Sequence, residues 1–134
     1  MEILSLPRDR IHFVGTLSYE RYRDLLRKST VHVYLTKPYV LSWSLLEAMS
    51  CGCLVVSNAV PPVKEVIVNG KNGILSNTWS DLSLHILDAL ANKASSKMLA
   101  MRQQARQTIE KRYELKKCLC KRAEIGRASC RERV

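Results

Sequence analysis

A chain of 134 residues that is 46% hydrophobic is long enough to bury a core and short enough to be read as one domain. Its net charge of +10 points to anionic partners, and charge alone does not choose among phosphates, nucleic acid and a membrane surface. No run of ~18 apolar residues exists to span a bilayer, and the start "MEILSLPRDR" lacks the basic-then-apolar layout of a signal peptide, so a soluble cytoplasmic protein is expected.

In chain order, "RIHFVG" (Arg10 to Gly15) and "VHVYLT" (Val31 to Thr36) are short β-branched and aromatic runs, which predict strands. Between them "SYERYRDLLRKS" sets Tyr22, Leu25 and Leu26 at helical spacing behind Ser18 as N-cap. A second helix is expected over Trp43 to Ser50, ending at Gly52 and leading into the buried-strand run "CLVVS" (Cys53 to Ser57). Strands alternating with helices through short loops predict a right-handed parallel βαβ arrangement. Pro61 and Pro62 fit a turn and helix start, "VKEVI" can form about one helical turn, and "NGKNGIL" carries two Asn-Gly turn signals. From Ser80 onward the pattern is helical. Leu82, Ile86 and Leu90 form one apolar stripe and Met98, Met101, Ala105 and Ile109 another, divided near Asn92 to Ser96. The second of these helices carries Arg102, Arg106, Lys111 and Arg112, which read as a solvated charged face rather than a nucleic-acid or membrane surface.

Five cysteines, at 51, 53, 118, 120 and 130, form no CxxC pair and have no histidines at zinc spacing, which predicts reduced thiols. His12, His32 and His85 lack acidic or cysteine partners at metal spacing and read as structural. The final "EIGRASCRERV" (Glu124 to Val134) has no apolar periodicity and looks like the translation of a sequencing adapter. It is set apart from the expected domain over 1–123, and the basic excess survives its removal.

In an open parallel sheet, ligands bind at the carboxyl ends of the strands, where loops enter the following helices. "TKPYVLS" is such a loop. Ser42 is the expected N-cap of the next helix, and the free amides of Trp43, Ser44 and Leu45 would face an anion with the helix dipole behind them. Glu47 stands one turn further, on the side of Trp43 and Ser44, while Leu45, Leu46 and Met49 take the buried side. A carboxylate can accept both hydroxyls of a vicinal diol, so phosphate at the helix start and ribose on Glu47 would describe a bound nucleoside diphosphate. An exposed helix glutamate is the plainer alternative.

The block "LLEAMSCGCLVVS" followed by "EVIVNGKNGIL" resembles the donor-binding core of family 4 glycosyltransferases, which have the GT-B fold and retain anomeric configuration. The resemblance runs from about Arg10 through the C-terminal helices. It implies an α/β, Rossmann-like parallel sheet forming the C-terminal half of a GT-B enzyme, with Glu47 holding the donor ribose and the amides of Ser42, Trp43 and Ser44 the diphosphate. The family's first glutamate of E-x7-E, which contacts the donor sugar, falls at Tyr39, so sugar recognition differs or passes to the backbone amides of Val40 and Leu41. Gly15 and Thr16 match positions that pass close to the nucleotide base, and Glu65 matches one near the donor pocket. Lys37 and Lys64 can add positive potential. The resemblance further implies no metal or other cofactor, a nucleotide-sugar donor, and a carbohydrate or lipid-linked acceptor. It also implies a missing N-terminal acceptor domain through which the parent could touch a membrane, with Met1 as an internal methionine. A GT-B sugar-nucleotide epimerase is the rival enzyme, and a basic nucleic-acid-binding module the rival of another class.

Overall fold

The computed structural model describes residues 7–114, and its centre is a sheet of three parallel strands in chain order: β1 (Val31–Tyr34), β2 (Leu54–Asn58) and β3 (Ile74–Ser76). Val31 pairs with Leu54 and Val56 with Ile74, so β2 is flanked on both sides. Parallel neighbours require crossovers, and these are helical. The helices are α1 (Tyr19–Lys28), α2 (Trp43–Ser50), α3 (Pro61–Lys64), α4 (Trp79–Ala91) and α5 (Ser96–Arg112).

β2 reads as an unbroken apolar run because both of its faces are covered. Val55 points to one layer, where it meets Leu26, Leu45, Met49 and Ala105. Leu54 and Val56 point to the other, with Ile74, Leu82, Ala89 and Met101. The alternation along the strand thus feeds two cores, and α5 belongs to both: Met98 and Met101 enter the second, Ala105 the first. Each fully buried side chain such as Leu45 or Met49 contributes about 1.5–3 kcal/mol from burial.

α2 begins and ends as its sequence dictates. The Ser42 side chain accepts from the Ser44 amide at 3.3 Å, and past Ser50 the backbone turns through Gly52 at φ +77°, a left-handed conformation that glycine adopts without the strain of a Cβ. Gly73 is required for a different reason: a Cβ there would lie 2.9 Å from Ile67 Cγ2 and 3.3 Å from the Val55 carbonyl oxygen.

Several expectations are corrected. Arg10 to Gly15 is not a strand: Arg8–Arg10 is a single 3-10 turn, 11–15 has no regular structure, and Phe13 is 97% exposed. Strand-forming side chains hold a strand only where a neighbour takes their backbone groups, and among the described residues β1 pairs with β2 alone. His12 therefore lies in coil. β1 stops at Tyr34, short of Thr36, and the next strand starts at Leu54 rather than Cys53. Leu25 and Leu90 face solvent, while Ala89 takes the buried place on α4. Cys118, Cys120, Cys130, Met1 and the tail 124–134 lie outside the described residues.

Candidate functional site

The loop between β1 and α2 is fixed at its base by β2. Asn58, the last residue of β2, accepts from the Thr36 amide at 3.1 Å and donates to the Thr36 carbonyl at 2.8 Å, standing in for a strand partner where β1 has ended. The loop then closes on itself: the Val40 amide donates to Lys37 O at 3.2 Å and the Thr36 hydroxyl to Val40 O at 3.0 Å. Tyr39, at its tip, is 75% exposed, and Val40 and Leu41 are exposed beside it.

At the start of α2, the Ser42 amide donates to the hydroxyl of Tyr34 at 2.8 Å. Tyr34 is buried, so the core itself places the cap. The Ser44 amide and hydroxyl both donate to Ser42 Oγ, at 3.3 and 3.2 Å. Of the three amides that sequence assigns to a diphosphate, Ser42 and Ser44 thus have protein acceptors and the Trp43 amide is open. The Trp43 ring is 78% exposed over this end of the helix.

Glu47 does not project into solvent. It is half-buried, beside Tyr22 of α1. Burial foremost, then the neighbouring Glu47 carboxylate, pushes the Tyr22 pKa up to about 12. The two residues belong to a cleft of about 400 Å³ between α1, α2 and α5, to which Arg23, Arg27, Cys51 and Arg106 also contribute. Three guanidinium groups and one carboxylate line the cleft, and two of the guanidiniums, Arg27 and Arg106, pair with Asp24 and Glu110. The volume of the cleft lies in the range of small-molecule sites.

Other sequence-assigned residues lie apart from this cleft. Gly15, at φ +61°, and Thr16 are exposed in the coil before α1, and no described hydrogen bond joins them to the α2 loop. Glu65 is exposed and Lys37 and Lys64 are solvent-facing. His85 Nδ1 lies 2.8 Å from the Ser76 hydroxyl, a link between β3 and α4, and burial lowers the pKa of His32 within β1. Cys53 donates to Leu26 O at 3.0 Å, and its buried thiol is pushed up to about 11. Among the described residues no helix is long and apolar enough to cross a membrane.

The basic helix keeps the solvated charged face expected of it, with Arg106, Lys111 and Arg112 exposed and Arg102 half-buried. Arg102 Nε donates to Gly52 O at 2.6 Å, Arg112 to Glu65 O at 2.9 Å, and Arg106 pairs with Glu110 at 2.9 Å. Sequence reasoning also passed over Asn58, Tyr34, Tyr22 and Arg23, which organise the site. Asn58 and Tyr34 act on partners at least eight residues away, and the one signal available for Asn58 was a polar residue at the carboxyl end of a buried strand.

Comparison with known proteins bears on the family and the fold. The glycosyl transferases group 1 family matches residues 4–108. An uncharacterized glycosyltransferase of Methanocaldococcus jannaschii, MJ1069, is 28% identical over 110 residues, covering 80% of this chain. Sucrose-phosphate synthase of Thermosynechococcus elongatus superposes with a TM-score of 0.83 at 20% identity over 92% of this chain. Anabaena Alr3699/HepE, solved in complex with UDP-glucose, gives 0.66 at 19% identity over 78%. The chain spans 28% of the first of these proteins, 31% of the second and 29% of the third. Its α/β fold with a parallel three-stranded sheet is that of GT-B glycosyltransferase structures. With the match covering most of its length, the chain belongs to the glycosyl transferases group 1 family.

Proposed function

We propose that the chain is the nucleotide-sugar-binding, C-terminal half of a retaining family 4 glycosyltransferase, whose whole form moves a hexose from a nucleoside diphosphate sugar to a sugar or lipid-linked sugar acceptor. The observation that carries this reading is the place of Glu47: one turn inside α2, half-buried, in a cleft that three arginines line. A carboxylate so held offers two acceptors to the cis-diol of a ribose. The UDP-glucose found in HepE, which shares the fold, supports the same ligand class.

In this reading, positive groups and the open start of α2 stabilise the diphosphate as it departs, and the group that bears the charge is preorganised before the bond breaks. No metal is assigned to the site. The exposed loop from Tyr39 to Leu41 lies where the sugar would stand, and its tip carries an aromatic ring instead of a carboxylate. Arginines of α5 bonded to carbonyls and to Glu110 favour this reading over a nucleic-acid surface, because those groups already have protein acceptors.

Titration of the purified chain with UDP and with UDP-glucose tests the assignment, using Glu47→Gln as the variant. The amide keeps the size and helix propensity of the side chain but removes charged acceptors, so binding should weaken by about 1.5–3 kcal/mol, roughly tenfold or more. Circular dichroism should show an unchanged fold. Equal affinity in a folded variant would return Glu47 to a helix-surface acid.

A further inference from the structure

At the carboxyl ends of β2 and β3 lies a cavity of about 170 Å³, lined by Asn58, Ser76, Asn77, Thr78, Trp79 and Leu82. On a chain of net charge +10 it has no ionisable side chain in its wall, whereas the Glu47 cleft holds three arginines and a groove along α5 holds Lys71, Lys111 and Arg112. Its floor is closed: Leu82 is buried, and the buried Ser76 hydroxyl lies 2.8 Å from His85 Nδ1. Its rim is open, with Asn77, Thr78 and Trp79 exposed. The Trp79 ring, 73% exposed at the first position of α4, is a large apolar surface that belongs to neither core.

The polar groups around that ring are neutral and unspent. Neither the Asn77 amide nor the Trp79 indole N–H has a protein partner among the described residues. Asn58 uses one N–H and one lone pair of its side-chain amide on Thr36, which leaves one donor and one acceptor. Thr78 Oγ1 accepts from the Asp81 amide at 3.1 Å, so its own proton is still there to donate. A phosphate or carboxylate would find no cation here to offset its desolvation, and an aliphatic ligand would strand the amides. A saccharide ring meets both conditions: one face presents C–H groups to an aromatic ring, and the rim presents hydroxyls that donate and accept. The cavity also lies on the edge of the sheet where ligands of parallel folds bind, and Asn58 joins it to the β1–α2 loop through Thr36.

We propose that this cavity binds a neutral pyranose unit, with the sugar's apolar face on the Trp79 ring and its hydroxyls on the amides of Asn77 and Asn58. The function proposed above gives the sugar its role: the donor sugar is assigned to the loop from Tyr39 to Leu41, so the unit held here belongs to the acceptor. That role rests on the donor reading. The sugar site itself does not, since it follows from an uncharged cavity, an exposed ring and unspent amides.

Titration of the isotope-labelled full chain, followed by NMR at the backbone amides of Trp43, Thr78 and Ser80, tests the site. The probes are the methyl glycosides of glucose, galactose and mannose, then uridine, then UDP. At least one glycoside should shift Thr78 and Ser80 saturably, with a millimolar Kd, and leave Trp43 in place. UDP should do the reverse. Trp79→Ala should weaken the glycoside by about tenfold or more, whereas Trp79→Phe, which keeps an aromatic face, should lose no more than about threefold. Asn77→Ala should weaken it by roughly threefold to tenfold. All three variants should keep the wild-type melting temperature, because these side chains are exposed and bond to nothing in the fold. Glycoside binding without UDP binding would sustain the sugar site and remove the donor reading together with the acceptor role. UDP binding with no glycoside shift at Thr78 and Ser80 overturns the sugar site alone. So does a shift there by uridine and by no glycoside, or unchanged glycoside affinity in folded Trp79→Ala.

Discussion

The two ends of α2 are built in opposite ways. At the far end the backbone is tied down: Met49 is fully buried, Gly52 turns the backbone, Arg102 donates to the Gly52 carbonyl, and Cys53 donates to Leu26 O. At the near end the backbone is capped by Ser42 and Tyr34, yet the side chains of Tyr39 and Trp43 stand in solvent. Glu47 lies between, half-buried. One helix of eight residues thus divides its labour: burial at the carboxyl end supplies stability, and the amino end is fixed in backbone but free in side chain. A binding surface needs that combination, since a preorganised backbone lowers the cost of ordering and exposed groups remain available to a ligand.

The far end should break most easily. Met49→Ala removes a fully buried side chain from the first core and should destabilise the chain by about 2–5 kcal/mol in denaturant unfolding, with reduced m-value excluded if the native fold is kept. A loss below ~1 kcal/mol would mean that this end is not the anchor. A smaller effect is expected for Arg102→Met, which keeps the aliphatic stem but deprives the Gly52 carbonyl of a charged donor. About 1.5–3 kcal/mol should be lost, and ligand affinity should stay unchanged because the change lies at the closed end. Reduced UDP affinity at constant stability would show that the two ends are coupled. The smallest effect belongs to the near end: Tyr39→Ala, at a 75% exposed loop tip, should alter stability by no more than about 0.5 kcal/mol. Its consequence should appear instead in discrimination between UDP-glucose and UDP, and an unaltered ratio of those affinities would take Tyr39 out of the sugar site.

The site repeats this division between what local pattern reveals and what it hides. α2 was legible to the residue, from Ser42 as cap to Gly52 as terminator, because capping and left-handed glycine are properties of the backbone within one turn. The burial of Leu45 and Met49 followed from helical spacing. The half-burial of Glu47 did not, since the same spacing serves an exposed acid and a buried one, and the packing of α1 beside it decides between them. Nor did the clamp of Asn58 on Thr36, which exists only once β1 and β2 lie in register.

The sequence by itself determined the alternation of strand and helix, the parallel arrangement of the sheet, the caps and turns, and the acid placed one turn into α2. These depend on interactions among near neighbours and on the period of apolar side chains. Only the tertiary structure decided that Arg10 to Gly15 forms no strand, that α5 sends Met101 to one core and Ala105 to the other, that Arg102 ties down Gly52, and that among the described residues the buried Nε of Arg23 has no acceptor. Each of those outcomes depends on which distant partner is present or absent. A strand needs a neighbour for its hydrogen bonds and a buried cation an acceptor for its protons, and neither requirement is written in the residues that carry it.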